Sequence, residues 1–563
     1  MGDTLGLALG RVGRFLSQHY WNFEALAGLT ADGRPLEHAL SCFYETMNGA
    51  VSRSISVDYK DNYGPLPWEG IYSLADGSAL EDVYGITGPD QVIDSRAELS
   101  LYHRYLKNGD EEESRALYAD AGAKFFHAWK RFNKLSSPTM TPAGIPGISD
   151  VRINFHKTER FATDFAAPNS TSPFALELPR ANLSQSEVPS DYFNEASTTG
   201  NTHAILSSIY DIAMKQLEKC DRLDCLVLFL ASDTHWGTVL TDILDEILPE
   251  VPRTSALLYD IIDYKSPNEP SPLVCPNPLL ASKRRKCSQM SLWHNIADRL
   301  SSYALLPLSY ASISNYFRNA CASEVDIETP GAAENGLRGN RQACLTDASA
   351  VMSLAVHSFV RQARTHTYRL SNVVDGLVPV SYGNILATGL NISLTGGFYE
   401  HTLDLSGLVA AYLQSPIDSS FAAARSFCID PLDLSAKPRG WVNSYVKQYA
   451  ELFRQPIIRN SRGLLLRGPV LQLPDAFPHI FTQRCGLSYR TELPIAVELR
   501  NTPYYYANLC ATEKLIQGRS SFRDDNLELE DTLQYLCVLK DVYKPSRHLA
   551  GIQISDDRSG SEQ

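Results

Sequence analysis

Two short turns in the sequence combine glycine with the start of a helix, the arrangement that binds phosphate in many α/β proteins. The first turn, Gly10-Arg-Val-Gly13, follows an apolar strand predicted at residues 4–9 and precedes a helical stretch that runs through Trp21. Glycine lets a backbone approach a ligand closely, and the first N–H groups of a helix have no partner within the helix. Because two glycines also suit an ordinary tight turn, both interpretations stay open.

The second turn is Asp233-Thr-His-Trp-Gly237, which follows the apolar run Cys225–Leu230 and opens a helix. It also stands in a phosphate-binding position. It contains only one glycine, however, and His235 and Trp236 are bulky where a backbone would have to approach a ligand closely. The alternative interpretation is a packed turn in which Asp233 caps the helix.

Asp58 is the third residue feature that could take part in chemistry, because it ends a predicted strand that begins at Ser54. A carboxylate in this place can hold a metal-bound water beside a nucleotide, or it can cap a helix or lie at the surface. The candidate residues of a nucleotide pocket are therefore Gly10, Arg11, Gly13, Asp58, Asp233 and Gly237, and we predict neither a catalytic residue nor a metal site. The G-x-x-x-x-G-K-[ST], G-x-S-x-G and H-E-x-x-H motifs do not occur in the sequence.

Alternating helices and strands must position these turns. Between residues 203 and 263, a helix with apolar residues at helical spacing precedes the strand at 225–230, a second helix and a strand at 256–262. Continuous apolar runs of this length are typical of parallel strands that are buried on both faces. The pattern predicts an α/β fold in which helices cover both faces of a parallel sheet.

The length of 563 residues predicts more than one hydrophobic core. We expect an N-terminal domain at 1–310 with insertions at about 65–200 and 264–290, a second α/β domain at 311–500, C-terminal helices at 501–552, and a polar tail at 553–563. A helix from Leu292 to about Leu305 is predicted to connect the two domains. Further predictions are a helix at Asp347–Gln362 and strands at Val373–Val380 and Leu464–Leu473.

Composition limits the classes of function. A formal net charge of −13 disfavours a nucleic-acid-binding protein, and no apolar run reaches the roughly 18–20 residues that span a bilayer. The eleven cysteines show neither a disulfide framework nor zinc spacing, and the first residues do not form a secretory signal, so we expect a reducing compartment. The basic cluster Lys283–Lys286 is interpreted as a solvated loop rather than as an import signal or a lipid contact.

The segment through Trp21 resembles the first strand, glycine turn and helix of tubulins. More narrowly, the chain resembles the Misato family, tubulin-related proteins tied to mitochondrial distribution. The matching stretches occur in the same order as in that family: Phe43–Thr46, Ser54–Lys60, Cys220-Asp221, Thr367–Leu370, Phe477–Phe481 and Leu527–Asp531.

The resemblance implies a tubulin-like fold, in which a nucleotide-binding-type domain is joined by a long helix to a second α/β domain. Tubulins carry a glycine-rich loop, GGGTGSG or close to it, where this chain has Asp233–Thr238, and a glycine where it has Ser17. The loss of that loop removes several backbone donors for phosphate. We therefore expect no enzymatic activity and no required cofactor, while weak binding of GTP stays open.

By the same resemblance, we expect a non-enzymatic protein of mitochondrial distribution, morphology and mitochondrial DNA inheritance. It would reside in the cytoplasm and at the outer surface of the mitochondrion, and any membrane association would be peripheral. Two alternatives remain: a divergent GTP-binding relative of tubulin that forms filaments, and a factor in tubulin or spindle assembly. The corresponding partners are mitochondrial surface proteins, tubulin or a chaperonin.

Overall fold

The computed structural model of the protein describes residues 2–29, 35–46, 49–59, 162, 174–178, 210–232, 234, 236–264, 278–314, 345–365, 369–378, 384–392, 402–407, 422–428, 462–468, 471–474, 477, 492–493, 495–502, 505–517 and 526–544. Helices and a parallel sheet alternate along this part of the chain, so the predicted α/β class is confirmed. No helix among the described residues is both long enough and apolar enough to cross a lipid bilayer.

A six-stranded parallel sheet organises the first half of the chain, in the spatial order β5-β4-β1-β6-β7-β8. A short antiparallel hairpin, β2–β3, lies between β1 and β4 along the chain. The strands are β1 (Asp3–Leu9), β2 (Phe43–Thr46), β3 (Gly49–Ser52), β4 (Ser54–Tyr59), β5 (Phe174–Leu178), β6 (Leu223–Leu230), β7 (Ser255–Ile262) and β8 (Tyr303–Ser309).

The central strands are buried because helices cover the sheet on both faces. In β6, Cys225, Val227 and Phe229 belong to one apolar cluster, whereas the alternate residues Leu226 and Leu228 belong to the other. This two-sided burial explains the continuous apolar runs in the sequence. The first helices on the sheet are α1 (Gly10–Gly28), α2 (Trp236–Ile247) and α3 (Pro278–Arg299).

A second, mixed sheet of five strands follows, in the order β10-β9-β15-β11-β12. Its strands are β9 (Ala387–Ile392), β10 (Thr402–Asp404), β11 (Ala422–Cys428), β12 (Arg462–Gly468) and β15 (Ile495–Asn501), and the short strands β13 (Leu471–Gln472) and β14 (Glu492–Leu493) pair with each other. Helix α4 (Leu345–Thr365) contacts α1 on one side and β11, β12 and β15 on the other, so one helix packs against both layers.

Three further helices follow α4 along the chain. Helix α5 (Leu370–Leu377) contacts strands of both sheets. Helices α6 (Tyr505–Gln517) and α7 (Asn526–Tyr543) pack against each other and against α3, which confirms the predicted C-terminal helices. The predicted helix at Asp347–Gln362 is confirmed as part of α4.

Several sequence predictions about the elements are wrong. Val373–Val380 was expected to be a strand because of its valines, but Leu370, Val373, Val374 and Leu377 form the buried face of helix α5. The helix expected from Leu292 to Leu305 begins at Pro278 and ends at Arg299, and Tyr303 already belongs to β8. It is therefore a crossover within one sheet rather than the connection between two domains.

Most of the predicted insertion at about 65–200 and part of the one at 264–290 lie outside the described residues, but described parts of both belong to regular elements. Residues 174–178 lie within the first one and form β5, the edge strand beside β4. Residues 278–290 lie within the second one and belong to α3, so the basic cluster Lys283–Lys286 is helical rather than a solvated loop. The side chain of Lys283 is buried. Basic residues are good helix formers, and a long aliphatic stem can pack against the core.

Candidate functional site

The strand order creates a crevice between β1 and β6. From β1 the chain continues to β4 and β5 on one side of the sheet, and β6, β7 and β8 then extend the sheet on the other side. Ligands of open α/β sheets bind at such a reversal, beyond the carboxyl ends of the strands. Helix α1 begins at Gly10, directly after β1, and α2 begins at Trp236, shortly after β6. The two turns identified from the sequence therefore meet at this edge.

The indole of Trp236 covers the glycine turn. Gly10 has a φ of +68°, which is a conformation that glycine adopts easily. A Cβ added to Gly10 would lie 2.1 Å from Nε1 of Trp236, whose side chain is only 4% exposed. The open face of Gly10 is thus in contact with a buried aromatic ring. A phosphate could reach this face of the backbone only after Trp236 had moved.

The loop after β6 is tied to a buried carboxyl group. Ser232 donates its backbone N–H to Oδ1 of Asp260 at 2.9 Å and its hydroxyl to Oδ2 at 2.6 Å. Gln289 and Trp293 of α3 donate to the same Oδ2 at 3.2 and 3.1 Å. Burial raises the pKa of Asp260, and these donors oppose that shift. A backbone N–H that a phosphate loop would offer to its ligand is therefore already bound within the protein.

Asp58 lies beside the glycine turn, but a buried cation pairs with it. Because Leu9 is in register with Val57, Gly10 and Asp58 are neighbours at the carboxyl edge of the sheet. Asp58 is fully buried, and its Oδ2 lies 3.2 Å from Nη1 of Arg14 on α1. The position at a strand end agrees with the sequence prediction. The pairing with Arg14 gives this carboxylate a structural role in holding α1 on the sheet.

The other predicted pocket residues face different surroundings. A Cβ on Gly13 would lie 2.2 Å from the carbonyl oxygen of Phe229, so Gly13 allows α1 to pack closely on β6. A Cβ on Gly237 would lie 3.5 Å from the side chain of Leu292. The guanidinium of Arg11 lies over the ring of Phe15.

Asp233 and His235 lie outside the described residues, so the predicted cap at Asp233 stays a prediction. The first N–H of α2, that of Trp236, is donated to Oγ1 of Thr234 at 3.4 Å. Thr234 therefore holds the turn at the start of the helix. Among the described residues, no group of three or more His, Cys, Asp or Glu side chains is placed to hold a metal ion.

A buried charged cluster that the sequence analysis missed connects α1 with α4. Oε2 of Glu24 accepts a hydrogen bond from Arg364 at 2.5 Å, and Oε1 lies 3.1 Å from Nδ1 of His357. Arg364 also contacts Ser41 and Cys42. Burial would raise the pKa of Glu24, but Arg364 and His357 hold it well below its ordinary value. The partners are more than 300 residues apart in the sequence, which gives no local signal for their pairing.

A second carboxyl group with a shifted pKa lies at the end of β10. Oδ1 of Asp404 accepts the backbone N–H of Ser406 at 2.9 Å, whereas Oδ2 is buried without a hydrogen-bond partner in the described part of the chain. Burial raises the pKa of Asp404 to about 7, although the N–H of Ser406 opposes this shift. The neutral form is therefore favoured in the folded protein up to nearly neutral pH.

Asparagine at position 404 is expected to remove a pH-dependent loss of stability. Because the folded pKa is raised above the ordinary value of 3.8, the carboxyl of Asp404 destabilises the fold progressively as pH rises from about 4 to 7. The full effect is at most about 4 kcal/mol. The free energy of unfolding of D404N, minus that of the wild type, should increase over this range and then level off. Urea unfolding at several pH values measures it.

The exposed carboxylate of Asp541 on α7 provides a control for this measurement. D541N removes an exposed carboxylate in place of a buried one, so its free energy of unfolding relative to the wild type should not show the rise expected for D404N. If D404N changes no more with pH than D541N does, the buried, protonated state of Asp404 is contradicted.

The arrangement at the β1–β6 edge is a filled crevice: an aromatic ring covers the glycine turn, and carboxylates engage the neighbouring donors. The polar groups at this edge bind one another and hold the strands and helices together. Comparison with known proteins gives no match to a protein-family model and no match to a curated protein.

Proposed function

We propose that this chain is a non-enzymatic, tubulin-like protein that acts in mitochondrial distribution, morphology and the inheritance of mitochondrial DNA. It works in the cytoplasm and at the outer surface of the mitochondrion, through protein partners and without a required nucleotide. Its resemblance to the Misato family supports the cellular role. The filled crevice between β1 and β6 supports the non-enzymatic character.

The packing of Trp236 on Gly10 is the observation that carries the non-enzymatic part of the proposal. Binding of a nucleotide there would require removal of a buried indole from its contacts, at a cost of several kcal/mol by analogy with truncation of a core tryptophan. It would also have to compete with Asp260 for the N–H of Ser232. Weak phosphate contacts from the few remaining backbone donors would not offset these costs.

Two features of the architecture agree with the tubulin-like part of the proposal. The strand order corresponds to the 3-2-1-4-5-6 arrangement of doubly wound nucleotide-binding sheets. Helix α4 packs against α1 on one side and the second sheet on the other, as expected of a long helix between two domains. A filament-forming GTPase would share this scaffold, but it would also need an accessible phosphate site at the start of α1.

Purified full-length protein is expected to show no saturable binding of labelled GTP up to about 1 mM, which corresponds to a binding free energy near −4 kcal/mol. Equilibrium dialysis measures the binding, and a phosphate-release assay at high protein concentration tests for turnover that depends on self-assembly. Purified tubulin serves as the positive control. Saturable binding in the micromolar range would overturn the non-enzymatic proposal in favour of the GTPase alternative.

Depletion of the protein from its native cells should cause clustered or fragmented mitochondria and uneven segregation of mitochondrial DNA. Expression of the wild-type chain should restore both. Fluorescence microscopy of mitochondria, mitochondrial DNA and microtubules in the same cells provides the measurement. Collapse of microtubules or spindles before any change in mitochondria would instead support the role in tubulin assembly.

A further inference from the structure

A cavity of about 460 Å³ lies between helices α3 and α7, and its lining includes none of the predicted pocket residues. Its volume falls within the range of about 300–1,000 Å³ that is usual for ligand pockets. It reaches the surface, because the lining residues Asp298 and Val538 are 61% and 55% exposed. Tyr303 of β8 and Asn384 complete its wall.

Aromatic rings form one wall of the cavity. The rings of His294 and Tyr535 stack with their centroids 5.0 Å apart, and Tyr303 interacts with Tyr535. The Nδ1 atom of His294 is buried and has no hydrogen-bond partner within the described ranges. Val538, at the mouth of the cavity, is one of only three large hydrophobic residues that are exposed in the described part of the chain. The wall thus offers ring faces and aliphatic surface.

The polar rim of the cavity is acidic. Within the described ranges, the one basic side chain within 4 Å of the Asp298 carboxylate is the imidazole of His294, at 3.6 Å, and Asp531 forms no salt bridge. The nearby cations are bound to other carboxylates. Arg299 binds both oxygens of Asp245 at 2.6 and 2.8 Å. The ammonium of Lys540 on α7 is likewise bound, by Glu513. Two carboxylates therefore face the cavity without a strong cationic partner.

We propose that this cavity binds an arginine side chain from a segment of a partner protein. A guanidinium is a planar cation that stacks on aromatic rings and forms paired hydrogen bonds with carboxylates. The rings of His294 and Tyr535 with the carboxylates of Asp298 and Asp531 supply both kinds of contact. An aliphatic residue next to the arginine packs on Val538. The acidic rim disfavours an anionic lipid surface or a nucleic acid at this site.

A pair of short fluorescein-labelled peptides tests the proposal on the full-length protein. Each has a Gly/Ser sequence around a central tripeptide, which is Leu-Arg-Leu in one peptide and Leu-citrulline-Leu in the other. Citrulline keeps the shape of arginine and removes its charge. Fluorescence anisotropy should show binding of the arginine peptide with a Kd of about 1 mM or lower, and binding of the citrulline peptide that is at least about tenfold weaker.

Two double variants locate the site. D298N/D531N removes both carboxylates of the cavity and should abolish the preference for arginine. E530Q/D541N removes two exposed carboxylates of α7 that do not line the cavity, so it makes the same change in net charge and should keep the preference. Because the substituted residues lie at the surface, both variants are expected to fold, which circular dichroism verifies.

Four outcomes would overturn the proposal: no binding of the arginine peptide at about 1 mM, equal binding of the two peptides, a preference that D298N/D531N leaves intact, or an equal loss in both variants. A fifth outcome would show that the guanidinium comes from a small molecule and not from a partner protein. If N-acetyl-arginine amide competes at the same concentration as the unlabelled peptide, the site takes a small molecule and not a partner segment. None of these results depends on whether the protein binds GTP.

Discussion

Replacement of Arg364 by methionine is expected to destabilise the protein by about 3–5 kcal/mol, because it leaves a carboxylate buried without its main counter-charge. Glu24 is 3% exposed, and its two oxygens are engaged by Arg364 and His357. In R364M, His357 still contacts Glu24, but burial lowers the pKa of that histidine. The imidazole therefore compensates poorly for the missing guanidinium at neutral pH.

The double variant E24Q/R364M separates charge from packing. With both charges removed, no uncompensated ion remains in the core, so the double variant should be more stable than R364M alone. The midpoint of urea unfolding, followed by tryptophan fluorescence, gives the comparison. A double variant that is as unstable as R364M or less stable would show that lost packing, and not the unpaired carboxylate, causes the effect.

The pH dependence of the stability of R364M follows from the direction in which the pKa of Glu24 is shifted. In the wild type the pKa of Glu24 is held below its ordinary value of 4.5, so this group stabilises the fold above that pH and less as pH falls below it. Without Arg364, burial raises the pKa instead. Protonation then relieves the unpaired charge, and the stability difference between R364M and the wild type should shrink from pH 7 to pH 4.

Much of the first sheet is predictable from the sequence, because its strands are long apolar runs buried on both faces. The run Cys225–Leu230 lies within β6, and Ala256–Ile262 lies within β7. β5 is different: it has only five residues, Phe174–Leu178, and lies in a polar stretch. Its pairing with β4 is a long-range contact that local composition does not encode.

Two errors have a local cause. The valines of α5 suggested a strand, although Leu370, Val373, Val374 and Leu377 have the spacing of one helical face. In this segment the helical periodicity of the apolar residues indicates the observed structure, whereas β-propensity depends strongly on context. The start of α3 was missed because its first turns are basic and polar.

The sequence indicated where the two candidate turns lie, but not whether the space between them is open or filled. The spacing of strand, glycine turn and helix gave the location of Gly10, and the bulk of Trp236 suggested that the second turn could not approach a phosphate. That Trp236 covers Gly10 depends on a contact between residues more than 200 positions apart. The pairing of Arg14 with Asp58 is long-range in the same way. Only the folded arrangement reveals such contacts.

Alanine substitutions at the two glycines of the first turn should both be severely destabilising, but for different reasons. In G10A the new methyl group would lie 2.1 Å from the indole of Trp236, and alanine would also have to adopt a φ of +68°. In G13A the methyl group would lie 2.2 Å from the carbonyl oxygen of Phe229, which belongs to the central strand β6. We expect a loss of more than about 3 kcal/mol in each variant.

The substitution W236A distinguishes the two causes. On its own it should cost about 3–5 kcal/mol, because it removes a buried tryptophan. In G10A/W236A the clash is gone and only the backbone strain of about 1–2 kcal/mol remains, so the two losses should fall short of additivity by at least about 1 kcal/mol. In G13A/W236A the carbonyl of Phe229 is still in place, and the losses should add to within about 0.5 kcal/mol.

Urea unfolding of the three single variants and the two double variants measures these differences. Losses that add in both double variants, or that fall short of additivity by the same amount in both, would show that Trp236 does not lie against Gly10. The contact between Gly10 and Trp236 thus decides between a filled structural junction and a working phosphate site.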